Sequence, residues 1–143
     1  MKLLLICLAI TAVAGSALAQ GMQLKDLPAA VRQTVESHLK GGEIKKIAKE
    51  GAGYEVESVL NGKTRDFNVD ATGALLVMEE ETSIDALPAA AKAAILKHVG
   101  TGRLGRVESL QKPGESAVYE AAWTTKGGKQ KEIAVRADGR EIK

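Results

Sequence analysis

The hydrophobic positions change period along the chain, and the change occurs twice in the same way. Leu27, Val31, Val35 and Leu39 recur every four residues while Arg32, Gln33, Glu36 and Lys40 stay polar. That spacing predicts a helix burying one stripe. Pro28 falls in its opening turn, where a missing N–H costs nothing, and Asp26 is placed to cap it. Gly41-Gly42 ends it. The period then becomes two. Tyr54, Val56, Phe67 and Val69 alternate with Glu55, Glu57, Asp66 and Asn68, as in strands with one apolar and one wet face. Strands are predicted near 43–50, 54–60, 63–70 and 74–81, with Asn61-Gly62 marking a tight hairpin.

The whole pattern returns. Leu27-Pro28-Ala29-Ala30 matches Leu87-Pro88-Ala89-Ala90, and Val35, His38 and Gly42 match Ile95, His98 and Gly102, all at an offset of 60. Beyond an insertion around Lys112-Pro113-Gly114 the register shifts, so that Tyr54, Val69 and Gly73 match Tyr119, Val135 and Gly139. The second helix carries Leu87, Ala91, Ile95 and Val99 and stops at Gly100. Its strands are predicted near 103–111, 117–125, 129–136 and 139–142, with Tyr119, Ala121, Trp123, Ile133 and Val135 opposed to Glu120, Glu132 and Arg136. Short loops throughout require antiparallel neighbours. The expected fold is α+β: two tandem units, residues 20–81 and 82–143, each a helix plus a four-stranded antiparallel meander. The helices are expected on one face of the sheet. A unit of this size is marginal alone, so the copies should pack together. Leu75 to Met78, apolar at successive positions, reads as a central strand at their junction.

Residues 1–19 stand apart. Met1-Lys2, an apolar run from Leu3 to Val13 and Ala17-Leu18-Ala19 have the layout of a secretory signal peptide cleaved before Gln20. The run is too short to span a bilayer. Cys7, the single cysteine, lies inside it, so the mature chain can form neither a disulfide nor a thiolate metal site. A formal charge of +2 with mixed signs gives no argument for nucleic acid or an anionic membrane. With only Tyr54, Phe67, Tyr119 and Trp123, the chain also lacks stacking platforms for single strands.

The Leu-Pro-Ala-Ala helix starts, the glycine-rich helix exits, Tyr54-Glu55-Val56 with Tyr119-Glu120-Ala121, and the turns Asp70-Ala71-Thr72-Gly73 and Ala137-Asp138-Gly139 together resemble the PepSY-like family, whose architecture is shared by the beta-lactamase-inhibitor protein. The resemblance spans nearly all of the mature chain. It implies a non-catalytic secreted module that binds or restrains other proteins, and it carries no functional residue over.

Candidate chemistry is sparse. Gly100-Thr101-Gly102-Arg103-Leu104-Gly105 fits a dinucleotide loop by letter, but it follows a predicted helix and precedes a strand, the reverse of what a pyrophosphate site needs. His38 and His98 each stand near a helix C-terminus, suited to the helix dipole. Glu79-Glu80-Glu81 lacks the spacing of a calcium loop and reads as a solvated strand end that discourages edge pairing. No nucleophile elbow or acid–base pair is evident. No catalytic residue, cofactor or metal is expected. What remains is the polar sheet face, with Glu55, Glu57, Asp66, Glu120, Glu132 and Arg136 as a candidate protein-binding surface. The reading is a periplasmic or extracellular binding module, inhibitory if its partner is an enzyme, with another secreted or periplasmic protein as partner and neither nucleic acid nor membrane after cleavage. The alternative is a small-molecule- or metal-responsive envelope stress protein with a pocket between helix and sheet. Secreted protein should begin at Gln20 by intact mass; retention of Met1 to Ala19 would contradict the cleavage assignment.

Overall fold

The computed structural model describes residues 21–142, so the expected signal peptide lies outside the described residues. Helix α1 (Ala29–Leu39) leads into strands β1 (Glu43–Glu50), β2 (Gly53–Leu60), β3 (Lys63–Asp70) and β4 (Leu75–Glu81). Helix α2 (Ala89–Val99) leads into β5 (Arg103–Gln111), β6 (Val118–Thr124), β7 (Gln130–Arg136) and β8 (Glu141–Ile142). A 3-10 turn precedes each helix, at Leu24–Asp26 and Ile84–Ala86. The eight strands form one antiparallel sheet in strictly sequential order, β1 to β8. Among the described residues no helix is long and apolar enough to cross a membrane.

Two hydrophobic clusters hold the helices to the strands. In one, Leu27, Val31 and Val35 meet Ile47, Val56, Phe67 and Val69. In the other, Leu87, Ala91, Ile95 and Val99 meet Val107, Ala121, Trp123 and Val135. The alternation predicted for β2, β3 and β6 is therefore the observed one, and Trp123, 6% exposed, lies in the second cluster with the α2 stripe. Asn61 and Gly62 both adopt positive φ, 54° and 79°, as a tight primed turn between β2 and β3 requires.

Three expectations need correction. Asp26 does not cap α1. Its carboxylate accepts the Gln23 N–H at 2.9 Å and so closes the preceding 3-10 turn, while Pro28 occupies the N-cap position. The last strand is only Glu141–Ile142, because Asp138 and Gly139 spend the preceding residues on a turn: Gly139 N–H donates to Arg136 O at 2.9 Å, and Asp138 accepts the Arg140 N–H at 3.0 Å. Glu79-Glu80-Glu81 is not a solvated strand end. It is the stretch through which β4 pairs with β5, Glu79 opposite Leu110, Glu80 opposite Ser109 and Glu81 opposite Glu108. Met78 opposite Gln111 completes that ladder, so β4 is central as expected, yet Leu76 before it remains 49% exposed.

Each helix is also pinned by a turn. Gly73, at φ 93°, lies so close to α1 that an added Cβ would come within 2.8 Å of the Ala30 backbone, and Thr34 Oγ1 donates to Gly73 O at 2.6 Å. Gly139, at φ 83°, lies equally close to α2: a Cβ added there would come within 2.8 Å of Ala90 O. A side chain at Gly73 faces both a strained backbone and a blocked space. Gly73→Ala should therefore cost more than about 1 kcal/mol. Trp123→Ala should cost about 3–5 kcal/mol. Urea melts followed by far-UV circular dichroism would check both; an unmoved midpoint for Trp123→Ala would refute its place in the core.

Candidate functional site

Opposite the buried residues of each strand, alternation points the acids the other way. Val56 is buried and Glu55 and Glu57 flank it; Phe67 is buried and Asp66 and Asn68 flank it; Ala121 is buried and Glu120 precedes it. Strand register then sets the acids side by side. Asp66 faces Glu79 across β3 and β4. Glu81 faces Glu108, and Glu108 faces Glu120, so one rank of glutamates runs across β4, β5 and β6. Like charges directly opposite are destabilising in a sheet. Nothing in the packing of the fold requires this arrangement.

The sheet curls around these acids. Bulges in β1, between Ile44 and Lys46, and in β5, between Leu104 and Val107, add twist at matching places. A cavity of about 140 Å³ lies on this face, lined from seven successive strands: Glu50, Glu55, Asp66, Asn68, Glu79, Arg106, Glu108, Glu120 and Glu132, with Ala121 and Ala122. Seven carboxylates face one guanidinium among these lining residues.

Arg106 organises the centre. Its Nη2 lies 2.6 Å from Glu108 Oε1, donates to Thr64 Oγ1 at 2.7 Å and stands 4.0 Å from Asp66 Oδ2. Asp66 Oδ1 accepts the Ser58 N–H at 3.0 Å, and the Ser58 hydroxyl donates to Arg65 O. These side chains bridge β2 and β3 where no direct pairing joins Glu57 and Ser58 to β3. Asn68 donates to Glu50 at one side of the cavity. On the buried side of the same strands Arg65, 5% exposed, places Nη1 3.3 Å from Glu80 Oε1 and Nη2 3.2 Å from Met78 Sδ.

Confinement changes how the acids titrate. Partial burial, with Glu108, Glu120 and Asp66 nearby, pushes the Glu79 carboxyl up to about 7, against the opposing pull of Arg106. Burial foremost also raises Glu108, Glu120, Asp66 and Glu55. Loss of water is the leading cause in every case, and neighbouring carboxylates add to it.

Of the six residues proposed from sequence, the structure brings Glu55, Asp66, Glu120 and Glu132 together in the cavity. Glu57 lies outside it, paired with Lys46 at 2.6 Å, and Arg136 lies near the far end of β7 outside the lining. Sequence reasoning missed Glu50, Glu79, Arg106 and Glu108. Alternation from buried Val107 would have found Glu108, whereas Glu79 was hidden by the reading of its tri-glutamate as a strand end. The cavity is on the open side of the strands rather than between helix and sheet. Among the described residues no three His, Cys, Asp or Glu are grouped to hold a metal ion. His38 stacks obliquely near Phe67, with ring centroids 6.2 Å apart, and His98 near Trp123 at 6.5 Å with Nε2 2.7 Å from Glu141 Oε1. The glycines at 100–105 join α2 to β5, which excludes the phosphate-loop order.

The raised carboxyls make a sign prediction. Each binds its proton more tightly in the folded chain than in the unfolded one, so stability is greatest below the ordinary carboxylate pKa and falls as pH rises toward about 7. The exposed Asp70, Asp85 and Asp138, lowered by hydrogen bonds, act oppositely at more acid pH. Urea midpoints should therefore fall between about pH 5 and pH 8, and Glu79→Gln should flatten that decline. An identical slope in the variant would contradict the burial of Glu79.

No known family model matches the chain, and no curated protein matches it. Solved structures do share its fold. A Bacteroides eggerthii protein assigned to the periplasm superposes with a TM-score of 0.74 at 16% identity, over 82% of this chain and 86% of its own. A DUF2874 family protein from Bacteroides ovatus gives 0.71 at 14% identity, over 82% and 85%. A BLIP-like protein from Bacteroides fragilis gives 0.67 at 21% identity, over 82% and 84%. At these identities the likeness is one of fold, and the fold of this chain is BLIP-like.

Proposed function

We propose that this chain is a non-catalytic periplasmic or extracellular protein-binding module, built of two copies of a PepSY-like unit at 20–81 and 82–143. Both helices then cover one face of the sheet, and the acidic cavity on the other face receives a basic surface of a partner. The observation that carries this reading is the glutamate rank Glu81–Glu108–Glu120 with Asp66 beside Glu79. Charges set against stability in a concave site are charges kept for recognition, since an incoming cation relieves the repulsion and gains the field of all seven carboxylates. The fold neighbours, one assigned to the periplasm and one BLIP-like, support the compartment and the class of activity. A partner that is an enzyme would be inhibited where the cavity covers its working surface.

The test is capture from a periplasmic fraction on immobilised protein, with Glu55→Lys combined with Glu120→Lys as the control. The charge reversal should abolish capture while far-UV circular dichroism stays native. Capture by the native chain should also weaken several-fold between low and physiological salt, because exposed charges are screened beyond a Debye length. A partner held equally by the reversed variant would refute the acidic face as the binding surface.

A further inference from the structure

We infer that the two halves of the sheet pivot about the short β4–β5 ladder, so that the acidic cavity narrows when its carboxylates are protonated and widens when they are charged. The geometry has three parts. First, the ladder is four residue pairs long, from Met78–Gln111 to Glu81–Glu108, whereas β3 and β4 pair over five, β2 and β3 over six, and β6 and β7 over seven. Second, among the described residues the buried cluster of α1 and that of α2 are separate. Beyond the ladder, Thr82 N–H donates to Val107 O at 2.9 Å, and Arg106 reaches across to Thr64. A seam so short, with separate cores on its two sides, is a hinge.

Third, acids stand on both sides of that hinge. Glu79 is faced by Asp66 from β3, by Glu108 and Arg106 from β5, and by Glu120 from β6. Asp66 and Glu79 belong to the first half; Glu108 and Glu120 belong to the second. Their mutual repulsion acts across the seam and forces the halves apart on this face. Arg106 opposes it, carried on the second half and bonded to the first. Protonation removes the repulsion and leaves the Arg106 bridge. Glu79 titrates near neutrality, so the change falls within the range that an envelope compartment meets. This regulates the face proposed above as the binding surface and rests on that reading for its use, but the motion belongs to the free chain.

Residues 20–143 contain no cysteine, so paired spin labels can be introduced cleanly. Lys45→Cys on β1 and Lys131→Cys on β7 place exposed labels near opposite edges of the sheet. Electron–electron distance measurements on the free protein at about pH 5, 7 and 9 should show the separation shorten on acidification, centred near neutrality. Glu79→Gln should hold the short distribution to higher pH, and Arg106→Gln should lengthen it at about pH 9. Should Glu79→Gln fail to fold, Glu108→Gln makes the same test. One distribution at all three pH values, or an undiminished response in both Gln variants, would overturn the hinge. Partner capture lost on charge reversal would still stand in that event, so failure of the hinge and failure of the binding face are separable.

Discussion

The antiparallel ladder between β4 and β5 is the constraint on which the rest of the structure depends. Through it the strands that follow α1 are paired with those that follow α2. With it the strands form one continuous surface, and acids from both halves come within reach of one another. The ladder is made largely by Glu79, Glu80 and Glu81, the most acidic stretch of the chain. Its backbone groups are paired and its side chains divide: Glu80 turns to the buried Arg65, while Glu79 and Glu81 turn to the open face. Joining the halves and charging the cavity therefore meet in one residue, Glu79.

This double use explains why the acidic face costs stability. A carboxylate on a flat exposed strand keeps its water, and its neighbours are screened. Burial removes water from Glu79, Glu108 and Glu120 together, and Glu108 and Glu120 further raise the proton affinity of Glu79, as Glu108 does that of Glu120. Arg106 offsets part of this, as do the Ser58 and Thr64 hydrogen bonds around it. The remainder is a cost that the folded chain carries at neutral pH and that protonation relieves.

Much of this was legible in the sequence. The stripe from Leu27 to Val35, the Asn61-Gly62 turn and the phase of Trp123 follow from local periodicity, because a helix or hairpin reports its inward face through neighbours a few residues away. What escaped depends on residues distant in the chain. Glu79-Glu80-Glu81 looks solvated until Ser109 and Leu110 are placed beside it. Asp26 looks like a helix cap until the 3-10 turn claims its carboxylate. Glu55, Asp66, Glu120 and Glu132 could be assigned to the polar face by alternation, but the bulges that curl this face into a cavity leave no mark in hydrophobic pattern. Glu57 and Arg136 share the alternation and not the cavity for that reason.

The sequential strand order has a consequence for how the molecule is made. Every strand after β1 pairs with the one just before it in the chain, so each pairing except β4–β5, which spans α2, closes a short loop. Folding rate falls with the mean separation of contacting residues, and all-β topologies are slow because their pairings are remote. Here the loop-closure entropy is small within β1 to β4 and within β5 to β8, and the sheet can grow hairpin by hairpin on either side of α2. The first helix and its four strands can be complete before the second half has been made, which shortens the time for which Phe67 and Val69 are open to aggregation. With no cysteine among the described residues to lock it, local topology takes the place of a crosslink in guarding the nascent state.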